Sequence, residues 1–128
     1  HIVLRGGSAG PNYDSVHVKL CETALAEAGV PTGIMIDCSH ANCSKKYELQ
    51  PLVVDNVADQ IIAGNRSIVG LMIESNLAPG RQDISGPPEQ LAYGVSVTDP
   101  CLGWEDTAQC LRRLRERVGP VLPKRGAA

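Results

Sequence analysis

The sequence predicts a parallel α/β fold of about three strand-helix units, and three observations carry that expectation. Apolar runs recur at Ile2-Val3-Leu4, Ile34-Met35-Ile36 and Ile68-Val69-Gly70-Leu71-Met72-Ile73. Amphipathic segments of helical length separate them, and strands that alternate with helices in this way become parallel neighbours. Each run also leads into a polar side chain at its C-terminal end, Arg5, His40 and Glu74 in turn, which is how a β/α barrel assembles a site.

The first strand stops at Arg5-Gly6-Gly7, and the residues up to Asn12 have the composition of a loop. Asp14 or Ser15 can cap a helix in which Val18, Cys21, Leu25 and Ala28 share a face; Gly29 suits the C′ position and Pro31 blocks continuation. The second strand is expected at about 33–38, uncharged until Asp37, as suits burial on both faces of a parallel sheet. It runs into the polar turn Asp37-Cys38-Ser39-His40-Ala41-Asn42, a setting that holds an imidazole still. Helical character resumes from Ser44, with Pro51 in the first turn of the main helix and Leu52, Val53, Val57 and Ile61 as its apolar stripe. Gly64-Asn65 ends it, and a third strand spans Ser67 to Ile73, with Glu74 at its end. Residues 75–102 hold Asn76, Pro79, Gly80, Gly86, Pro87, Pro88, Gly94 and Pro100, a stretch too long for an ordinary connection and read as a functional loop. A last helix starts near Trp104, with Ala108, Leu111, Leu114 and Val118 inward and Arg112, Arg113, Arg115, Glu116 and Arg117 mainly outward. Residues 120–128 read as a loose tail.

Composition narrows the class. With 128 residues, 43% hydrophobic and 20% charged, the chain has material for one domain at most. A net charge of −2, no Phe and one Trp provide neither the basic footprint nor the aromatic platforms of a nucleic-acid binder. No apolar run approaches the roughly 20 residues of a membrane span, and the N-terminus has no signal-peptide pattern. Five cysteines, odd in number and without a CxxC pair, fit a reducing cytoplasm. The first strand begins at Ile2 behind His1 with no lead-in, so residues 1–128 read as a single partial domain cut from something longer.

His40, Glu74 and Asp99 form a plausible set for a divalent metal, because neutral imidazole with carboxylates suits Mn, Fe, Co or Zn better than Mg or Ca. Each has a plainer reading: a loop histidine bonded to backbone, a carboxylate at a helix N-terminus, an aspartate in the turn before Pro100. Arg5 beside Gly6-Gly7 can grip a phosphate or carboxylate bidentately, or can sit in a structural ion pair. Asp37 can orient His40 or merely cap the turn. Cys21 and Cys110 read as buried small hydrophobes, Cys38 and Cys43 lack the second pair a zinc site would need, and no residue is singled out as a nucleophile.

Several segments in order resemble one family: Leu4-Arg5-Gly6-Gly7 with Pro11-Asn12-Tyr13, Met35-Ile36-Asp37-Cys38-Ser39-His40-Ala41-Asn42 with Ser44-Lys45, Met72-Ile73-Glu74-Ser75, Leu91-Ala92-Tyr93-Gly94, Thr98-Asp99, and Gly103-Trp104-Glu105-Asp106-Thr107. Together they resemble the C-terminal part of the type I 3-deoxy-D-arabino-heptulosonate 7-phosphate (DAHP) synthases. The resemblance implies the last three strand-helix units of a TIM (β/α)8 barrel. It also implies a metal-dependent condensation of phosphoenolpyruvate with erythrose 4-phosphate, the first step of the shikimate pathway to aromatic amino acids. By the same resemblance His40, Glu74 and Asp99 are metal ligands and Arg5 binds the phosphoenolpyruvate phosphate. The family's remaining ligand, a cysteine on the first barrel strand, has no counterpart here, and a complete barrel needs about 250 residues. Activity is therefore expected only in a complete barrel, with a homo-oligomer or the missing barrel half as partner. Two alternatives stand beside this: a 3-deoxy-octulosonate 8-phosphate synthase-like enzyme, and a non-catalytic barrel piece acting through oligomer or partner contacts.

Overall fold

The computed structural model describes residues 1–125. Three strands, β1 (Ile2–Leu4), β2 (Ile34–Asp37) and β3 (Ile68–Met72), form one parallel sheet in the order β1-β2-β3. Helix α1 (Ser15–Glu27) connects β1 to β2, and α2 (Gln50–Ile62) connects β2 to β3. Helix α3 (Trp104–Val118) packs against α2. The expected strand-helix alternation is therefore observed, with boundaries shifted by a residue or so.

Helix α1 starts at Asp14, whose carboxylate accepts from Val16 N and His17 N, and it ends at Gly29, whose φ of 66° needs no Cβ. Helix α2 carries Pro51 in its first turn, where no backbone donor is lost. Its buried face is Gln50, Val53, Val54, Val57, Ala58 and Ile61, the three-and-four spacing of a helix on a sheet. Leu52, expected in that stripe, is 62% exposed, because it lies a helical step outside the 53–57–61 line. A similar correction applies in α3. Leu111 is exposed and Cys110 and Val118 are buried, so the inward line runs through 110, 114 and 118. Nor is the arginine face purely solvated: Arg113 and Arg117 both pair with Asp55 of α2, and Arg117 also pairs with Asp59. Ala28, placed inward by its spacing, is the exposed C-cap of α1.

The core lies between the sheet and the helices. Ile34, Ile36 and Ile68 are buried against Val18 and Leu25 of α1 and the inner face of α2. Complete burial of a side chain such as Val57 contributes about 1.5–3 kcal/mol. The opposite sheet face and the sheet edges are more open. Val3 is 40% exposed, Val69 60% and Met72 39%, as expected of strands that lack neighbours. Beyond β3, Ser75 bridges Leu102 in parallel and Gly80 bridges Cys101, so the long loop returns alongside the end of the sheet. Within the expected loose tail, residues 122–125 form a 3-10 turn, and Arg125 Nη2 donates to Ile68 O at 2.7 Å; residues 126–128 lie outside the described residues. No described helix is long and apolar enough to cross a membrane.

Candidate metal centre

His40 follows β2 and opens a 3-10 turn, His40–Cys43, with φ of 51°. A non-glycine residue holds this left-handed conformation only where its surroundings fix it. Asp37 supplies the fixing. Its carboxylate, almost wholly buried, accepts from Ser39 N at 2.8 Å and Ser39 Oγ at 2.5 Å through Oδ1, while Oδ2 lies 2.8 Å from His40 Nδ1. An ionised carboxylate only accepts, so in a neutral imidazole this contact favours the proton on Nδ1 and leaves the Nε2 lone pair for a ligand. Nε2 faces Glu74 Oε1 at 3.7 Å and Asp99 Oδ2 at 3.6 Å.

Glu74 is held through its backbone. The side chain of Gln50, fully buried at the start of α2, donates from Nε2 to Glu74 O at 3.1 Å and accepts from Glu74 N at 2.9 Å. Leu102 N donates to the same carbonyl at 2.9 Å, which docks the returning loop against Glu74 and delivers Asp99 three residues upstream. One ligand atom from each of His40, Glu74 and Asp99 lies within 4.8 Å of the others. Three segments distant in sequence thus meet at the C-terminal ends of the strands.

Three carboxylates, those of Asp37, Glu74 and Asp99, surround one imidazole, and no Lys or Arg pairs with any of them among the described residues. Burial raises the pKa of Glu74, and the nearby Asp99 and Asp37 carboxylates add to the rise, while His40 opposes it. Uncompensated negative charge beside an imidazole lone pair is a donor set that fits a first-row divalent cation. Asp37 then has the place of the carboxylate that commonly orients a ligating histidine.

Arg5 stands one residue beyond β1, whose Leu4 pairs with Ile36 of β2. It is exposed and takes part in none of the ion pairs among the described residues, so its guanidinium is available at the neighbouring strand end. The cysteines that flank His40 are buried, and burial pushes the thiols of Cys38 and Cys43 up, away from the thiolate a metal would need. A groove of about 740 Å³ between α2 and α3, lined by Tyr47, Asp55, Cys110 and Arg113 among others, lies on the helical side and includes none of the candidate residues.

Reasoning from residue types did not anticipate Gln50 or Asn42. A glutamine before a proline and an asparagine in a turn carry no signal of the backbone groups they reach 24 and up to 38 residues away.

Comparison with known proteins places the chain as a whole. The family model described as the DAHP synthetase I family matches residues 1–112. The Tyr-sensitive phospho-2-dehydro-3-deoxyheptonate aldolase of Escherichia coli K12 is 46% identical over 127 residues, covering 99% of this chain and 35% of that protein. The tyrosine-inhibited enzyme of Schizosaccharomyces pombe is 51% identical over 120 residues, covering 91% of this chain and 32% of the relative. A solved phospho-2-dehydro-3-deoxyheptonate aldolase structure from Francisella tularensis SCHU S4 superimposes with a TM-score of 0.86 at 44% identity, over 93% of this chain and 34% of that one. The chain therefore spans about a third of the length of these relatives.

Proposed function

This chain belongs to the DAHP synthetase I family, and on that premise we propose that it forms the last three strand-helix units of a (β/α)8 barrel catalysing the DAHP synthase reaction. Phosphoenolpyruvate, erythrose 4-phosphate and water are the reactants, and DAHP and phosphate the products. The observation that carries the proposal is the convergence of His40, Glu74 and Asp99 at the C-terminal ends of parallel strands, where barrel enzymes place their chemistry.

In this reading His40 Nε2 and the carboxylates of Glu74 and Asp99 hold a divalent metal of the Mn, Fe, Co or Zn class. When bound, the metal supplies Lewis-acid polarisation of an aldehyde carbonyl or activation of water. Asp37 keeps the proton on His40 Nδ1 and the ring in one orientation, and Ser39 braces that carboxylate. Arg5 takes the phosphate of phosphoenolpyruvate, where a planar guanidinium matches two phosphate oxygens at once. The open edges and exposed strand face accept the rest of the barrel. All five cysteines are free, which supports a reducing compartment such as the cytoplasm.

The test is a transplant. These residues replace the matching segment of the Escherichia coli Tyr-sensitive relative, and DAHP formation is assayed with both substrates and manganese. Turnover is expected in the transplant, its loss with bound metal in His40→Ala, and none from the isolated 128-residue chain. A folded, soluble transplant that forms no DAHP, or a His40→Ala variant with unchanged activity and metal content by elemental analysis, refutes the proposal.

A further inference from the structure

The β1–β2 ladder pairs Leu4 with Ile36 and then stops, so no strand pairing fixes Arg5. A buried carboxamide takes over at that point. Asn42, 3% exposed, donates from Nδ2 to Leu4 O at 3.0 Å and to Asp37 O at 2.8 Å, and its Oδ1 accepts from Asn12 N at 2.8 Å. Asn12 in turn accepts from Gly6 N through Oδ1 at 2.7 Å. Leu4 O belongs to the peptide unit before Arg5 and Gly6 N to the one after it. Both units that set the direction of the Arg5 side chain are therefore tied to a residue of the His40–Cys43 turn.

Contact between the two loops is equally close. Gly6 has φ of 73°, and a Cβ there would fall 2.7 Å from Ala41 Cβ and 3.0 Å from Asn42 N. The two hydrogens and the oxygen of the Asn42 carboxamide all have partners. Aspartate would lose both donors, and serine has no second donor to reach both strand ends.

We propose that Asn42, assisted by Asn12, is a positioning residue that locks the Arg5 loop to the His40 turn and so fixes the separation between the phosphate-binding guanidinium and the imidazole. The proposal rests on the reading of Arg5 and His40 given above. Its consequence is specific: releasing the lock moves Arg5 relative to a ligand anchored at the His40 end, and so weakens ligands that must reach both. A plain structural role for Asn42 would lower stability without distinguishing one ligand from another.

The experiment compares phosphoenolpyruvate with pyruvate, which lacks the phosphate, by calorimetric titration of the manganese-loaded complete barrel. The proteins are the parent, Arg5→Ala, Asn42→Ala, Asn12→Ala and the doubles Arg5→Ala/Asn42→Ala and Arg5→Ala/Asn12→Ala. Asn42→Ala and Asn12→Ala are expected to weaken phosphoenolpyruvate about tenfold and pyruvate less than about twofold, since small misplacements at a site carry large effects. In the Arg5→Ala background neither should cause further loss, the non-additivity that marks residues acting through one another. If Asn42→Ala fails to fold, Asn12→Ala decides alone, because Asn12 is only partly buried and its substitution removes only the Oδ1 acceptor for Gly6 N, while the backbone Asn12 N–H still donates to Asn42 Oδ1. Equal losses for both ligands, equal losses in both backgrounds, or unchanged affinity in folded variants overturn the proposal. If Arg5→Ala itself leaves phosphoenolpyruvate affinity unchanged, the phosphate role of Arg5 fails and the lock fails with it. Loss with Arg5→Ala but none with the asparagine variants removes the lock alone.

Discussion

Gln50→Ala tests whether Glu74 is placed by a buried amide rather than by β3 itself. The substitution deletes the two hydrogen bonds from the Gln50 side chain to Glu74 N and O. The Glu74 carbonyl retains Leu102 N as a donor at 2.9 Å, so only the Glu74 N–H is orphaned. An unsatisfied buried donor costs about 1–3 kcal/mol, and the lost Nε2 bond adds about 1 kcal/mol. Together with one buried methylene at about 0.8 kcal/mol, the expected destabilisation is about 3–5 kcal/mol. With a urea m-value of about 2 kcal/mol/M for a domain of this size, the unfolding midpoint falls by about 1.5–2.5 M. Circular dichroism in urea gives the midpoint, and manganese titration of the folded protein gives affinity. That affinity should fall about tenfold, as happens when a partner that orients a ligand is lost. Gln50→Glu is the control. Its carboxylate oxygen would oppose Glu74 O when ionised and donate to it when protonated, so its penalty should shrink at acid pH. A midpoint shift below about 0.5 M at unchanged m, with metal affinity intact, refutes the reasoning.

Gly6→Ala puts a Cβ 2.7 Å from Ala41 Cβ and 3.0 Å from backbone of Ala41 and Asn42, in a left-handed backbone. Thermal unfolding should show a loss of more than about 2 kcal/mol, only partly restored by Ala41→Gly because the backbone contacts persist. Glu22 is expected to tie stability to pH. Hydrogen bonds from Ser67 above all, then Asn65, with Lys19 contributing, lower its pKa from the ordinary 4.5 against an opposing effect of burial. A lowered folded-state pKa gives stability that is complete above the unfolded value and lost as pH falls through the folded one. The parent should therefore lose stability between about pH 5 and 3 more steeply than Glu22→Gln, measured by thermal melts across that range. Parallel pH profiles for the two proteins would refute the assignment.

The strand-helix order was legible because it depends on short-range pattern. Asp14 caps the helix it precedes, Gly29 ends it, and β-branched runs mark strands, all within a few residues of chain. Which flank of a helix turns inward was less legible. Leu52 and Leu111 are as apolar as their buried neighbours Val53 and Cys110, and only the position of the sheet and of α2 decides that the two leucines stay outside while Val53 and Cys110, both expected to be buried, face inward. The arginines of α3 show the same limit. Their outward reading holds for Arg112 and Arg115, yet Arg117 reaches Asp55 because α2 lies alongside, which no spacing within α3 records.

The site divides along the same line. His40, Glu74 and Asp99 could be picked out by residue type and by place at strand ends, but Glu74 is held by Gln50 and the Arg5 loop is tied to the His40 turn by Asn42, polar side chains that act on backbone groups far away in sequence. Those two amides, both buried, hold Glu74 and the Arg5 and His40 turns from within this third of the relatives' length. The arrangement of the candidate ligands is thus local, whereas the exposed edges of β1 and β3 require neighbours. Cation binding and turnover should accordingly separate. The three candidate ligands come together without a closed barrel, while the proposed reaction is expected only with the rest of the barrel in place.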